Sequence, residues 1–192
     1  MADNVPWNRP YVPKGQNSYT SEEIGWHSEG WTGEGYSRLP RGGMRMLTRV
    51  GHISDQGGEF GHGCVRAEYD ITPDLWFFDV HFKGDPVMPG CLGVDALWQM
   101  LGFFLTWSGG AGIGRALEVG QVRFTGQIWP TARIVTYGID LVEPPIIAGV
   151  SQGMANGWVR VDDKDGLRNP IYVVKGLKVG LFPRKMVSVH AQ

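Results

Sequence analysis

The stretch LGVDALWQMLGFFL, from Leu92 to Leu105, is long, apolar and free of proline, and this combination predicts a helix. Apolar side chains would lie on nearly every side of that helix, so most of its surface must be covered by the rest of the chain. Asp95 and Gln99 interrupt the run, which is also shorter than the about 20 residues that a membrane span requires. We therefore predict one buried central helix over residues 92–105, ended by the glycine-rich segment at residues 108–114.

The segments on both sides of this helix have the two-residue alternation of β-strands. In GCVRAEYDI, for example, Val65, Ala67, Tyr69 and Ile71 share one face. A strand is also predicted before it, in MRMLTRVGHIS, and three or four follow the helix, with DDKDG at residues 162–166 as a hairpin turn. The order of strands, one long helix and further strands predicts an α+β fold in which an antiparallel sheet wraps around the helix.

The N-terminal region is predicted to contain a flexible arm and then a short helix. Residues 1–17 are polar and include three prolines, which favours a loose arm. Thr20 or Ser21, followed by two glutamates, suits the start of a helix. We assign residues 18–192 to a single domain, because a chain of 192 residues can bury one substantial core and little more.

Composition excludes several classes of protein. A formal net charge of −1 gives no reason to expect nucleic acid or an anionic membrane as a partner. The only cysteines, Cys64 and Cys91, form no CxxC pair, which argues against a disulfide scaffold and a structural zinc site. The first residues lack the apolar region of a secretory signal. We expect a cytoplasmic protein.

The position of Asp95 inside the apolar run is the main indication of function. A carboxylate in such surroundings is costly unless it is paired or protonated. On a helix it would share a face with Trp98, Gln99 and Gly102. The structural alternative is an N-cap or a solvated acid in the first turn, but the Pro89–Gly90 pair already marks the start of the helix. We favour a functional carboxyl.

His81 precedes a loop, GDPVMPGC, that leads into the central helix. A backbone carbonyl of this rigid loop can hold one ring nitrogen of the histidine and leave the other to move protons. The N–H groups of Gly90 and Cys91, at the start of the helix, can bind a carbonyl oxygen and stabilise an enolate. A histidine, an acid and such an oxyanion site together indicate proton abstraction next to a carbonyl.

Three other patterns suggest different chemistry. Cys91 is an alternative thiol nucleophile, since a helix N-terminus would lower its pKa. GVSQG at residues 149–153 matches the G-x-S-x-G nucleophile motif, but a strand-like segment follows it where that motif needs a helix. GGAGIG follows a helix, whereas a phosphate-binding loop joins a strand to a helix. We interpret GVSQG as a chance match and GGAGIG as a helix stop.

The central motif, HFKGDPVMPGCLGVDALWQ, resembles that of the 3-hydroxydecanoyl-(acyl carrier protein) dehydratase/isomerase family of bacterial type II fatty acid synthesis. TPDLWFF, GRALEVGQVRFTGQIWPTA and LKVGLF are similar too, so the resemblance covers residues 18–182. In that family a histidine is followed fourteen residues later by an acid on the central helix, as His81 is by Asp95. Sister dehydratases that do not isomerise carry Glu there, so Asp95 favours the bifunctional branch. The resemblance implies a hot-dog fold, with the sheet wrapped around helix 92–105, and a homodimer.

The resemblance also implies a role for each residue of the motif. His81 would remove the C2 proton of a 3-hydroxyacyl thioester of about ten carbons. Asp95, in a dry tunnel, would assist departure of the C3 hydroxyl as water, with Gln99 one turn on positioning it. The Gly90 N–H would bind the thioester oxygen and the Val87 carbonyl would orient His81. The same pair would move a proton from C4 to C2 to give a cis-3 enoyl product, with no metal or redox cofactor.

The implied partners are an acidic acyl carrier protein, which presents the acyl group on phosphopantetheine, and a second copy of the chain. Each site is predicted to use His81 from one subunit and Asp95 from the other. A hot-dog thioesterase and a non-catalytic acyl-binding subunit are the alternatives, and an intact pair of these two residues speaks against the second. The basic residues available for carrier docking are Arg115, Arg123, Arg133, Lys175, Lys178 and Arg184.

Overall fold

The computed structural model describes Asn8 and residues 10–163, 166–167 and 169–184. The helices of these residues are α1 (Ser21–Glu29), α2 (Trp76–Val80) and α3 (Gly90–Trp107), with a short 3-10 helix at Gly42–Met44. The strands are β1 (Arg49–Ser54), β2 (Cys64–Asp70), β3 (Ile113–Glu118), β4 (Gln121–Phe124), β5 (Ile134–Leu141), β6 (Ser151–Asp163), β7 (Gly166–Leu167) and β8 (Tyr172–Phe182).

These strands form one antiparallel sheet in the order β1-β2-β5-β6-β8-β3, with β4 paired to β8 and β7 paired to β6. Val65, Ala67 and Tyr69 of β2 are buried, whereas the residues between them are partly exposed, as the alternation predicts. Helix α3 packs against β2, β3, β5, β6 and β8. The prediction of an antiparallel sheet wrapped around one central helix is confirmed.

Helix α3 extends beyond residues 92–105 by two residues at each end. Pro89 is the N-cap, and Gly90 already has helical geometry. At the other end Trp107 is buried, and the helix stops before Gly109, whose φ of +97° is a left-handed conformation that favours glycine. One side of the helix, which carries Asp95, Trp98 and Gly102, is only partly covered.

The N-terminal residues pack against the C-terminal end of α3. The Lys14 N–H donates to the Trp107 carbonyl at 2.9 Å, and the Trp107 indole N–H donates to the Gln16 carbonyl at 2.7 Å. Residues 10–17 of the segment expected to be a flexible arm therefore make specific contacts, and residues 1–7 and 9 lie outside the described part. The capping box of Thr20 and Glu23 starts α1 as predicted.

The structure corrects three predicted boundaries. The first strand begins at Arg49 and not at Met44, because Met44 and Met46 bind the Gln99 side chain through their backbone. Helix α1 extends to Glu29, within a region predicted to be loop. After α3 the described residues form six strands where three or four were predicted, since ALEVGQVRF divides into β3 and β4 and the two residues of β7 form a further short strand. The centre of the predicted DDKDG turn, residues 164–165, lies outside the described residues, and β6 and β7 pair on either side of it.

Candidate functional site

His81 lies at the end of α2, where a closed loop holds its backbone. The Val87 N–H donates to the His81 carbonyl at 2.8 Å, which ties the two ends of the loop together. Within the loop, Phe82 and Asp85 exchange two backbone hydrogen bonds of 2.9 and 3.0 Å. The turn between them uses Gly84 at a φ of +82°. The loop is therefore a compact unit whose position relative to His81 is set by backbone bonds.

The same loop orients the imidazole of His81. Its Nδ1 lies 2.9 Å from the Val87 carbonyl oxygen. Because a carbonyl can only accept, Nδ1 donates this hydrogen bond, and in the neutral form of the ring Nε2 is then the nitrogen with a free lone pair. The Phe82 ring stacks on the imidazole with its centroid 3.9 Å away. His81 is partly exposed, so Nε2 is presented as a base by a ring that is held in one orientation.

Asp95 and Gln99 form a hydrogen-bonded pair on α3. The Gln99 side-chain amide donates to Asp95 Oδ2 at 2.6 Å and to the Met44 carbonyl at 2.8 Å, and its oxygen accepts from the Met46 N–H at 3.1 Å. Burial raises the pKa of the Asp95 carboxyl, against a smaller lowering by the Gln99 hydrogen bond. Asp95 therefore keeps a proton more readily than an exposed aspartate does, as a general acid requires.

The first turn of α3 offers backbone donors. The N–H groups of Gly90 and Cys91 have no acceptor among the described residues. A Cβ on Gly90 would lie 2.8 Å from Cε1 of Phe124, so a larger residue could not take that position unless the ring moved. Gly93, one turn along, is covered as closely by Tyr172. These two rings bring β4 and β8 onto the helix start, where an incoming oxygen would meet the free N–H groups.

A cavity of about 160 Å³ lies beside α3. Asp95 and Gln99 line it at one end, and His81 is not among its lining residues. The structure thus forms two separate groups within one chain. The acid and its amide partner are together on α3, and His81 and Val87 are together on the loop. The cavity is lined by His27, Ser37, Arg38, Leu39, Pro40, Asp95, Trp98, Gln99, Gly102, Phe103, Thr106, Gly114, Arg115, Ala116 and Val179.

Sequence reasoning missed His27 as a member of this cavity. The polar composition around it gave no companion, yet the side chain is buried at 2% exposure among aromatic rings. Its spacing from Ile24 and Trp31, at three and four residues, is the signal that indicates a buried helix face. The backbone groups of Met44 and Met46 that hold Gln99 have no signal in the sequence, because any residue carries them.

The other sites considered for this chain are not formed by the described residues. Ser151, in the GVSQG match, is buried at the start of β6, so a strand follows it as predicted. Among the described residues no three His, Cys, Asp or Glu side chains are grouped so that they could hold a metal ion. None of the helices in the described ranges has the length and apolar character needed to cross a membrane.

The raised pKa of Asp95 predicts how the stability of the protein depends on pH. A carboxyl whose pKa is raised by folding favours the folded state at low pH, and that contribution is lost as pH rises through the raised pKa. We therefore expect Asp95→Asn, which does not titrate, to have a higher melting temperature than the unaltered protein at neutral pH. Thermal denaturation between weakly acidic and neutral pH should show that the difference in melting temperature between the two proteins becomes smaller toward acid. A difference that became larger toward acid would contradict a raised pKa.

Comparisons with known proteins agree with this architecture. The family model described as a FabA-like domain matches residues 39–167. A chain of the dehydratase heterocomplex ApeI:P from Xenorhabdus doucetiae is 14% identical, with a TM-score of 0.57 over 80% of this chain and 95% of that one. A hypothetical thioesterase from Streptococcus pneumoniae, solved with coenzyme A, is 9% identical, with a TM-score of 0.45 over 70% of this chain and 84% of that one. The likeness to the Xenorhabdus chain shows the fold, and the predicted hot-dog fold is confirmed.

Proposed function

The chain belongs to the FabA-like domain family, and from this premise we propose that it dehydrates 3-hydroxyacyl thioesters to trans-2-enoyl thioesters. The proposal rests on one observation: one side chain is prepared to accept a proton and another is prepared to donate one. The His81 imidazole has Nδ1 bound to a carbonyl, which leaves Nε2 as a base. The Asp95 carboxyl has a raised pKa, which favours its acid form. A base and an acid of this kind are what loss of water from a 3-hydroxyacyl group needs.

The proposed reaction follows from these positions. His81 Nε2 takes the proton from C2 of the substrate, while the Gly90 N–H, with that of Cys91 beside it, binds the thioester oxygen and stabilises the enolate. The Asp95 carboxyl gives its proton to the C3 hydroxyl, the C3–O bond breaks, and water leaves as the C2–C3 double bond forms. Gln99 holds the carboxyl through its hydrogen bond of 2.6 Å. We further propose that the substrate chain has about ten carbons and that the protein also isomerises the product by proton transfer from C4 to C2.

We propose that the complete site contains two copies of the chain. Three observations support this: the cavity beside Asp95 lacks His81, the Asp95 side of α3 is partly exposed, and the edge strand β3 is exposed from Arg115 to Glu118. An exposed sheet edge is a template for pairing with a second chain. In an isologous dimer, His81 of one subunit would then meet Asp95 of the other at each of two equivalent sites.

The proposed substrate carrier is an acidic acyl carrier protein that presents the acyl group on phosphopantetheine. Arg123 of β4 and Lys175 of β8 are exposed on paired strands, since Arg123 lies opposite Val173 and Lys175 opposite Gln121. Arg123 is the neighbour of Phe124, which covers Gly90, and both cations lie on the two strands, β4 and β8, whose rings contact the start of α3. Two exposed cations at this position suit an acidic partner.

One assay tests the proposed function. The protein is incubated with a 3-hydroxydecanoyl thioester of pantetheine, and the products are followed by mass spectrometry, with chromatography to separate the trans-2 and cis-3 enoyl isomers. Loss of water supports dehydration, and a cis-3 product supports isomerisation. Release of the free acid would instead indicate a thioesterase, and no turnover on either pantetheine or the carrier protein would indicate an acyl-binding subunit.

Cys91 provides a further test. The thiol is exposed at the start of α3, and the proposed reaction uses only its backbone N–H. We therefore expect Cys91→Ala to keep dehydration within about a few fold of the unaltered protein, because alanine leaves that N–H in place. The rates are measured with the same thioester. Complete loss of activity in a folded variant would revive the thiol nucleophile.

A further inference from the structure

Helix α3 contains three glycines, and packing within the chain explains two of them. A Cβ on Gly90 would lie 2.8 Å from an aromatic ring of β4, and a Cβ on Gly93 would lie 2.6 Å from an aromatic ring of β8. Gly102 is different. Apart from the adjacent helix backbone, the nearest described heavy atom to its Cβ would be Cγ1 of Val179 at 3.8 Å, which is an ordinary contact.

The backbone does not require glycine at position 102 either. Gly102 lies well inside the 18 residues of α3 and has the ordinary right-handed helical conformation. Glycine in the interior of a helix is less favourable than alanine, because it loses more backbone freedom on folding. A glycine that neither conformation nor packing requires indicates that something other than this chain occupies the space above it.

The cavity beside Asp95 shows where that space leads. Gly102 and Asp95 both line it, and seven positions separate them on one face of α3, which is about 10 Å along the helix axis. Near Gly102 the lining is apolar, since Val179 and its cross-strand partner Ala116 both belong to it. Gly102 is partly exposed and Ala116 is exposed, so a ligand in the cavity can reach both residues.

The distance from Asp95 to Gly102 matches a chain of about ten carbons. A C–C bond is about 1.5 Å long, so the seven carbons that follow C3 in such a chain extend by no more than about 10 Å. The three carbons that follow C3 in a six-carbon chain extend by no more than about 5 Å and end well before Gly102. The cavity of about 160 Å³ has room for about five groups of about 30 Å³ each. The longer chain therefore needs the whole cavity, including the space over Gly102.

We propose that the end of the substrate's acyl chain lies over Gly102, and that the glycine at this position sets the longest chain that the protein accepts. A larger side chain would shorten the cavity, because side chains on a helix lean toward its N-terminus, which here is the direction of Asp95. The inference rests on the proposed function in one respect, since it takes Asp95 as the place of the C3 hydroxyl. Gly102 determines specificity in this proposal and takes no part in proton transfer.

Binding of saturated acyl amides of aminopantetheine gives the test, because these ligands have no C3 hydroxyl to lose and resist hydrolysis. The hexanoyl and decanoyl amides are titrated by calorimetry into the unaltered protein, Gly102→Ala and Gly102→Leu. We expect the unaltered protein to bind the decanoyl ligand at least about ten-fold more tightly, since four further carbons are buried. This preference should fall by about four-fold in Gly102→Ala, the equivalent of one buried methylene, and to less than about two-fold in Gly102→Leu.

The controls are the same two changes at Gly25, which lies inside α1 and does not line the cavity. A Cβ there would approach the end of the Arg45 side chain at 3.4 Å, and both changes should leave the preference unaltered. Gly102→Ala should melt no lower than the unaltered protein, because alanine is the better helix former, so its effect on binding would not reflect unfolding.

A decanoyl preference that survives Gly102→Leu would overturn the proposal, as would equal affinity of the unaltered protein for the two ligands. Equal weakening of both ligands in Gly102→Leu, with loss of the dimer in sedimentation, would also overturn it, because the space over Gly102 would then belong to the partner subunit. Failure of the proposed function gives a different result. A preference that depends on Gly102 in a protein that dehydrates no 3-hydroxyacyl thioester would keep the acyl site and remove the dehydratase. Dehydration with a preference that is independent of position 102 would do the reverse.

Discussion

Asp95→Asn is expected to lower the rate of dehydration by about two to four orders of magnitude, the range associated with loss of a general acid. The amide has nearly the shape of the carboxyl and can still accept the hydrogen bond from Gln99, so the cavity should keep its form. It cannot give a proton to the C3 hydroxyl, which would then have to leave as hydroxide. Because the expected change in melting temperature is an increase, loss of activity would not reflect unfolding.

The measurement is the steady-state rate with a 3-hydroxyacyl thioester, and the matched control is Asp79→Asn. Asp79 is exposed on α2, only a few residues from His81, and it has no place in the proposed reaction. The control should dehydrate at close to the unaltered rate. If Asp95→Asn also kept a near-normal rate, Asp95 would be removed from the mechanism, and its burial would need a structural explanation.

A mixed dimer of one His81→Ala chain and one Asp95→Asn chain is expected to recover about half of the unaltered activity per dimer, because isologous contacts create two equivalent sites. If each site takes His81 from one subunit and Asp95 from the other, one site collects both changes and the other has neither. Each mutant alone has a defect at both sites and should be nearly inactive. The activity of the mixed dimer should therefore be large compared with that of either parent mutant, which is close to zero.

The experiment requires the two mutants to be co-expressed with different tags and purified through both tags in turn. Each single mutant is also prepared as a dimer in which the two chains carry the two different tags. These dimers are the controls for the effect of the tags and for exchange of subunits. A mixed dimer as inactive as its parents would show that each site lies within one chain. A protein that is monomeric in solution would also contradict the shared site.

The sequence alone was sufficient for the fold class. Fourteen consecutive positions, from Leu92 to Leu105, are apolar except for Asp95 and Gln99, and no exposed helix can carry such a surface. The alternation from Val65 to Ile71 is equally local, since successive side chains of a strand point to opposite faces. The candidate residues of the central motif are also local, because His81, Val87, Gly90 and Asp95 lie within fifteen positions. Patterns of this length can be recognised from neighbouring residues in the sequence, without knowledge of the fold.

The surroundings of those residues depend on contacts between distant parts of the chain. Gln99 is held by backbone groups of Met44 and Met46, which are more than fifty positions away and donate or accept whatever their side chains are. His27 has a polar local sequence, yet it is buried because α1 places its ring against Phe103 of the central helix. The raised pKa of Asp95 and the burial of His27 both result from packing of this kind. Burial and hydrogen-bond partners are properties of the assembled chain, so only the tertiary structure could reveal them.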